Sequence, residues 1–128
     1  WATREALIHP AAKQRVLAAT GDDTIRTRVY DIARQRAWPA PYSGRLLRNA
    51  FIETWHGRVD ALRAASAERR RDVEDADAAG DYDVANVTVG EAVGLIDDLP
   101  GAGDLVGRIA EEAEAAIRRV SAIAAPAP

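Results

Sequence analysis

The apolar positions of this chain change spacing several times, and each spacing predicts an element. The stretch Pro10–Ala19 reads as a helix, because a proline suits a first turn where its missing N–H would have no partner. Gly21 is placed to end that helix in a left-handed conformation. The run Thr24–Tyr30 then alternates, with Ile25, Thr27 and Val29 on one side and Arg26, Arg28 and Tyr30 on the other, and period two predicts a strand with one wet face. Two prolines and a glycine within Trp38–Gly44 predict an extended connection. Ser43 is the expected N-cap of the next helix, on which Leu47, Phe51 and Trp55 form one apolar stripe. After Gly57 a long polar helix is expected up to Ala79, with Gly80 as its stop.

Asp81-Tyr82-Asp83 reads as a turn and Val87–Ile96 as the most apolar stretch, broken by Leu99-Pro100-Gly101-Ala102-Gly103. Last comes an amphipathic helix on which Leu105, Ile109, Ala113, Ala116, Val120 and Ile123 follow the helical period. Residues 124–128 are expected to be a frayed tail. The fold class predicted is mainly α with one or two short strands.

Composition changes this picture in three ways. Of 128 residues 28 are alanine and seven aromatic, so the 48% hydrophobic content supplies more helix former than core bulk. Sixteen arginines against the single Lys13 match the bias of a GC-rich genome, and the net charge of −3 argues against nucleic acid or an anionic membrane as a partner. The mixed-sign run Glu68–Asp77 is read as a solvated helix face. With no cysteine there is no disulfide, thiolate zinc site or cysteine nucleophile, and no apolar run reaches the ~20 residues of a membrane helix. A cytoplasmic protein is expected. The absence of methionine, with tryptophan at position 1, leads to the expectation of a fragment or processed product.

Candidate chemistry is sparse. His9 precedes a proline at a helix start and reads as a cap or surface residue; His56, between Trp55 and Gly57, reads as structural, for instance bonded to a carbonyl. Neither has a companion at metal-ligand spacing, so no metal site is expected. No nucleophile elbow and no phosphate-binding glycine loop is present. The one suggestive segment is Val89–Gly94, where small residues at 90, 92 and 94 allow a close approach. A ligand anion, a ring carbonyl or simple helix packing would use the same residues.

Three blocks nevertheless resemble the C-terminal part of bacterial nitronate monooxygenases, formerly 2-nitropropane dioxygenases. They are WATREALIHPAAKQRVLAA with TIRTRVYD, then PYSGRLLRNAFIETWHGR, then VTVGEAVGLIDDLPGAGDLVGRIAEEAEAAIRR. The resemblance implies the C-terminal part of an FMN-dependent (β/α)8 barrel with a small helical domain inserted late in the chain. Residues 1–21 would end the barrel domain, 22–87 form the helical cap, and 88–123 return to the barrel with the C-terminal helix. Gly90 and Glu91 would fall on a Gly-Gln or Gly-Glu step near the flavin, and Glu91 puts an acceptor where many members have an amide donor.

The implied reaction is oxidation of alkyl nitronates or nitroalkanes with O2. The family's catalytic histidine and flavin phosphate loops have no counterpart here, so no catalytic residue is assigned and the chain alone is expected to be inactive. A homo-oligomer is compatible with this reading. Two alternatives stand beside it: a fragment of the FMN-type enoyl-acyl-carrier-protein reductase, which shares the barrel, and a non-enzymatic helical module presenting Leu47, Phe51 and Trp55 to a partner.

Overall fold

A computed structural model describes residues 3–124. Its elements are α1 (Pro10–Ala18), β1 (Thr24–Thr27), α2 (Val29–Ala33), β2 (Gly44–Leu47), α3 (Ala50–Trp55), α4 (Val59–Ala64), α5 (Ser66–Ala79) and α6 (Ala102–Ala124), with 3-10 turns at Gly21–Asp23 and Glu91–Leu95. The chain is thus mainly helical with two short strands. Its contacts divide it into two units, Ile8–Asp97 and a smaller one made of the residues up to Leu7 with those from Asp98 onward. The expected tail at 125–128 lies outside the described residues, while Ala124 belongs to α6.

In the larger unit, β1 and β2 pair antiparallel, with Thr24 opposite Leu47 and Thr27 opposite Gly44. One apolar cluster gathers Val29, Tyr30, Ile32, Leu46, Phe51, Ile52, Leu62 and Val73 where α2, α3, α4 and α5 meet. A second gathers Ala12, Val16, Leu47, Ala76, Tyr82, Val87 and Val93. Val84 packs against both.

Several local expectations give way to longer-range contacts. The strand stops at Thr27, whose hydroxyl accepts the Val29 N–H at 3.2 Å and starts α2 instead. Val29, Tyr30, Ile32 and Ala33 are all buried there, which a one-faced strand would not allow. Leu47, Phe51 and Trp55 do not share a helix: Leu47 ends β2, and α3 begins only after Asn49. Asn49, not Ser43, is the N-cap, its Oδ1 accepting the Ile52 N–H at 2.9 Å. α1 ends through Ala19 in an extended conformation, so Gly21 is not its left-handed stop. The polar helix is interrupted at Ala65, which separates α4 from α5.

Gly80 does stop α5 at φ 71°, and Asp81 N–H to Ala76 O at 2.9 Å closes a Schellman turn. A second turn of this kind ends α2 without a glycine. Gln35 takes the left-handed position at φ 55°, with its N–H bonded to Ile32 O and the Arg36 N–H to Asp31 O. A side chain there costs about 1 kcal/mol. Gln35 Nε2 donating to the buried Ser66 Oγ at 3.0 Å offsets it.

The smaller unit is organised by charge-assisted bonds. Asp98 accepts two bonds from Arg108 at 2.9 and 3.1 Å, which hold its carboxyl below the usual carboxylate range. Glu5 accepts the Ala102 N–H at 3.0 Å, capping α6. α6 is amphipathic as expected, and its apolar Val106, Ile109, Ile117, Val120 and Ile123 are exposed.

The buried amide of Asn49 is the densest polar junction. Its Nδ2 donates to Tyr30 Oη at 2.8 Å, to Tyr82 O at 3.2 Å and to Ala85 O at 2.8 Å, while Tyr30 Oη donates to Val84 O at 2.6 Å. Asn49→Ala removes a helix cap and leaves buried acceptors unpaired, so it should cost roughly 2–4 kcal/mol in urea unfolding. A loss below ~1 kcal/mol would show the junction to be dispensable.

Burial pushes the Tyr30 phenol up to about 12, against the opposing effects of the Asn49 bond and of Arg34 and Arg15. Below about pH 10 the phenol keeps its proton in both states; above it the unfolded chain ionises first, so stability should fall between about pH 10 and 12. Urea midpoints measured up that range should decline, and Tyr30→Phe should flatten the decline. An unchanged slope in that variant would place the dependence elsewhere.

Candidate functional site

Gly90 and Glu91 are positioned by β2. Beyond the β1 edge, β2 also meets the segment 87–89, through Leu47 N–H to Val87 O at 2.9 Å and Val89 N–H to Arg45 O at 3.2 Å. Leu46 and Thr88 form an antiparallel bridge. This pairing carries the chain directly into the Glu91–Leu95 turn, which Val93 anchors in the second apolar cluster. The segment is therefore a short strand-like edge and a single 3-10 turn, not the start of an α-helix.

The small residues of this segment have different tasks. A methyl group on Gly94 would lie 3.3 Å from Thr20 Cα and 3.4 Å from Gly21 N, and one on Gly21 would lie 2.9 Å from Glu91 O. Gly21 and Gly94 thus let the Thr20–Gly21 turn and the Glu91–Leu95 turn touch backbone to backbone. Gly90 is different. A methyl group there meets nothing nearer than Ala92 N at 4.0 Å, so the described residues do not require glycine at 90.

Glu91 is 75% exposed in its side chain, with Oε1 3.5 Å from Arg45 Nη2. Arg45 is only 23% exposed and is fixed from the other side by Nη1 donating to Thr24 Oγ1 at 2.8 Å. Its guanidinium holds one carboxylate oxygen of Glu91, leaving the other as an outward acceptor. Nearby, the Asp23 carboxylate accepts the Thr20 N–H and hydroxyl, both at 2.8 Å, and the backbone bond above all holds its pKa below the usual value.

Arg45 was not among the expected residues, because its segment reads as the start of a helix and a partner that arrives along a second strand edge leaves no local mark. The histidines fall where their neighbours suggested. His9 caps α1, its Nδ1 accepting the Ala11 N–H at 3.2 Å, and His56 Nδ1 lies 3.2 Å from Thr27 Oγ1, a hydroxyl rather than a carbonyl. Neither histidine pairs with the Glu91 carboxylate, whose partner is Arg45. No group of three or more His, Cys, Asp or Glu side chains able to hold a metal ion occurs among the described residues. No helix among them is long and apolar enough to cross a membrane. Leu47 and Phe51, 5% and 6% exposed, are core residues and present no surface for a partner.

No protein-family model matches the chain. Over 120 residues, 91% of its length, it is 32% identical to a nitronate monooxygenase of Neurospora crassa, and the match covers 30% of that protein. Its fold superposes on FabK from Thermotoga maritima with a TM-score of 0.74 at 21% identity, over 95% of this chain and 37% of that one. A mutant of the same protein gives 0.64 at 22% identity, over 95% and 34%. The chain is a distant homologue of part of the nitronate monooxygenase and has the fold of part of FabK, spanning about a third of the length of each.

The two kinds of glycine separate experimentally. Gly21→Ala forces a methyl against Glu91 O and should cost about 1–3 kcal/mol. Gly90→Ala, at φ −92° and ψ 170° with open space, should stay within about 0.5 kcal/mol of the parent or gain stability. Thermal melts of both variants test this; equal destabilisation would mean that Gly90 is also a packing residue.

Proposed function

We propose that the chain is the C-terminal part of an FMN-dependent nitronate monooxygenase, which oxidises alkyl nitronates with O2 in the cytoplasm. The observation that carries this reading is the 32% identity to a nitronate monooxygenase across 91% of the chain. On it, residues 1–21 close the barrel domain, 22–87 form the cap, and 88–123 return to the barrel. The exposed apolar side of α6 supports the last step, since a stripe of Val106, Ile109, Ile117 and Val120 calls for an apolar surface to cover it.

The residues at 90 and 91 fit the edge of a planar ring system. Gly90 offers space that a side chain would fill, and Glu91 offers one outward acceptor oxygen steadied by Arg45. When bound, FMN supplies the redox chemistry, and this segment contributes contact and orientation. Glu91 would accept a hydrogen bond from a donor on the ring or the substrate, and Arg45 would keep the carboxylate from turning away. The catalytic histidine and phosphate loops belong to the remaining two thirds of such a protein.

The test is a pair of measurements. Titrating the 128-residue chain with micromolar FMN should give no stoichiometric yellow complex. The longer protein that carries this chain should hold FMN and consume O2 with an alkyl nitronate, and Glu91→Gln in it should shift the flavin absorption bands. Turnover of an enoyl thioester with NAD(P)H and none of a nitronate would replace this reading with the FMN-type enoyl-acyl-carrier-protein reductase.

A further inference from the structure

A second polar feature lies on the larger unit, independent of the flavin reading. A cavity of about 570 Å³ is lined by Arg34, Arg36, Arg70, Glu74, Asp77, Asn86 and Thr88. We propose that this groove binds a phosphorylated sugar, free or as part of a nucleotide, with the phosphate on the arginines and the sugar hydroxyls on the Asp77 and Asn86 side.

The three guanidiniums come from two places in the fold. Arg34 and Arg36 flank Gln35, and the left-handed turn at Gln35 (φ 55°) is what lets residues on both sides of it line one cavity. That turn is held by the Gln35–Ser66 bond and the two closing backbone bonds of the α2 terminus. Arg70 comes from α5, on the same helical stripe as Glu74 and Asp77.

Their bonding leaves donors over. Arg70 is tied to Glu74 through Nε at 2.8 Å, so its two terminal nitrogens remain for another acceptor. Arg34 lies over the Tyr30 ring, 5.6 Å from its centroid, an interaction of the guanidinium face that leaves the N–H edge open. Arg36 makes no ion pair or side-chain hydrogen bond among the described residues. Arg71 and Arg119 are likewise without a carboxylate among the described residues, but Arg36 is the one of the three that lines a cavity together with two further guanidiniums. Planar forks with free edges suit the oxygens of a phosphate.

The carboxylates decide what else the ligand carries. A bare anion gains nothing from Asp77 in the same groove and is repelled by it. A ligand with hydroxyls beside its phosphate turns that carboxylate into an acceptor, as acidic side chains do for ribose hydroxyls. Asn86, whose Nδ2 donates to Thr88 Oγ1 at 3.1 Å, presents its amide oxygen as a further acceptor.

The experiment follows the amide and arginine Nε signals of the 128-residue chain by NMR during titrations with inorganic phosphate, ribose, ribose 5-phosphate and AMP. Ribose 5-phosphate should move the Arg34, Arg36 and Arg70 signals and bind at least fivefold tighter than inorganic phosphate, and ribose should not bind. AMP binding like ribose 5-phosphate supports a nucleotide source, and AMP excluded while ribose 5-phosphate binds supports a free sugar phosphate. Arg36→Gln should weaken ribose 5-phosphate at least fivefold, whereas Arg119→Gln on α6 should not. Asp77→Asn should tighten inorganic phosphate without tightening ribose 5-phosphate. Equal affinity for phosphate and ribose 5-phosphate, shifts away from these arginines, or an indifferent Arg36→Gln would overturn the proposal.

Discussion

The side-chain amide of Asn49 fixes how the parts of the larger unit meet. Its oxygen caps α3, while its nitrogen reaches the Tyr30 hydroxyl and the carbonyls of Tyr82 and Ala85. These acceptors are cut off from water, and unpaired they would each cost about 1–3 kcal/mol. The backbone reinforces the junction, with the Phe51 N–H bonded to Asp83 O and the Arg48 N–H to Asp23 O. The 82–85 segment is thereby held between the two apolar clusters, with Val84 touching both. Once that segment is fixed, residues 87–89 have one register against β2, and Gly90 and Glu91 follow from it. A change at Asn49 therefore reaches the candidate site without touching it.

Where the sequence could be read and where it could not follows from the range of the deciding contacts. Pro10, Gly80 and the apolar stripe of α6 are local signals, and the elements they announce are present. The alternation across Thr24–Tyr30 is also real, but half of it is coincidence. Val29 and Tyr30 are buried because α4 and α5 pack over α2, and the Thr27 hydroxyl turns the chain before the pattern ends. The spacing of Leu47, Phe51 and Trp55 misleads for the same reason: four-residue intervals also arise when a strand residue precedes a helix. The better local signal was Asn49 before Ala-Phe-Ile, an N-cap residue followed by an apolar turn.

The Gly90–Gly94 segment shows the same limit at the site. From the sequence, packing and ligand approach were indistinguishable, since both call for small residues. The structure divides them by what lies opposite: Thr20 and Gly21 face Gly94, while the described residues leave Gly90 without a neighbour that needs it. Arg45 was invisible for a related reason, because its partners Thr24 and Glu91 come from two other segments, one on each edge of β2. The resemblance by blocks carried more functional information than any spacing, and it agrees with an identity of 32% to a nitronate monooxygenase. Because the match covers 30% of that protein, what it carries over is ancestry and local fold, while the chemistry depends on residues beyond it.

Genome bias accounts for how many arginines the chain has, but not for where they stand. Seven of the sixteen stand in exposed ion pairs such as Arg48–Glu53 and Arg118–Glu114, each worth little in water. Net charge, at −3, averages over all of them and so describes the protein's long-range field rather than any one surface. What matters locally is whether a guanidinium already has its acceptor. Arg45 does, and its pairing orients Glu91. Arg36 does not, and it is held beside Arg34 by a left-handed residue that no glycine relieves. The Gln35–Ser66 bond offsets the cost of that left-handed turn, so the turn holds without a ligand and sets two arginines at one polar groove.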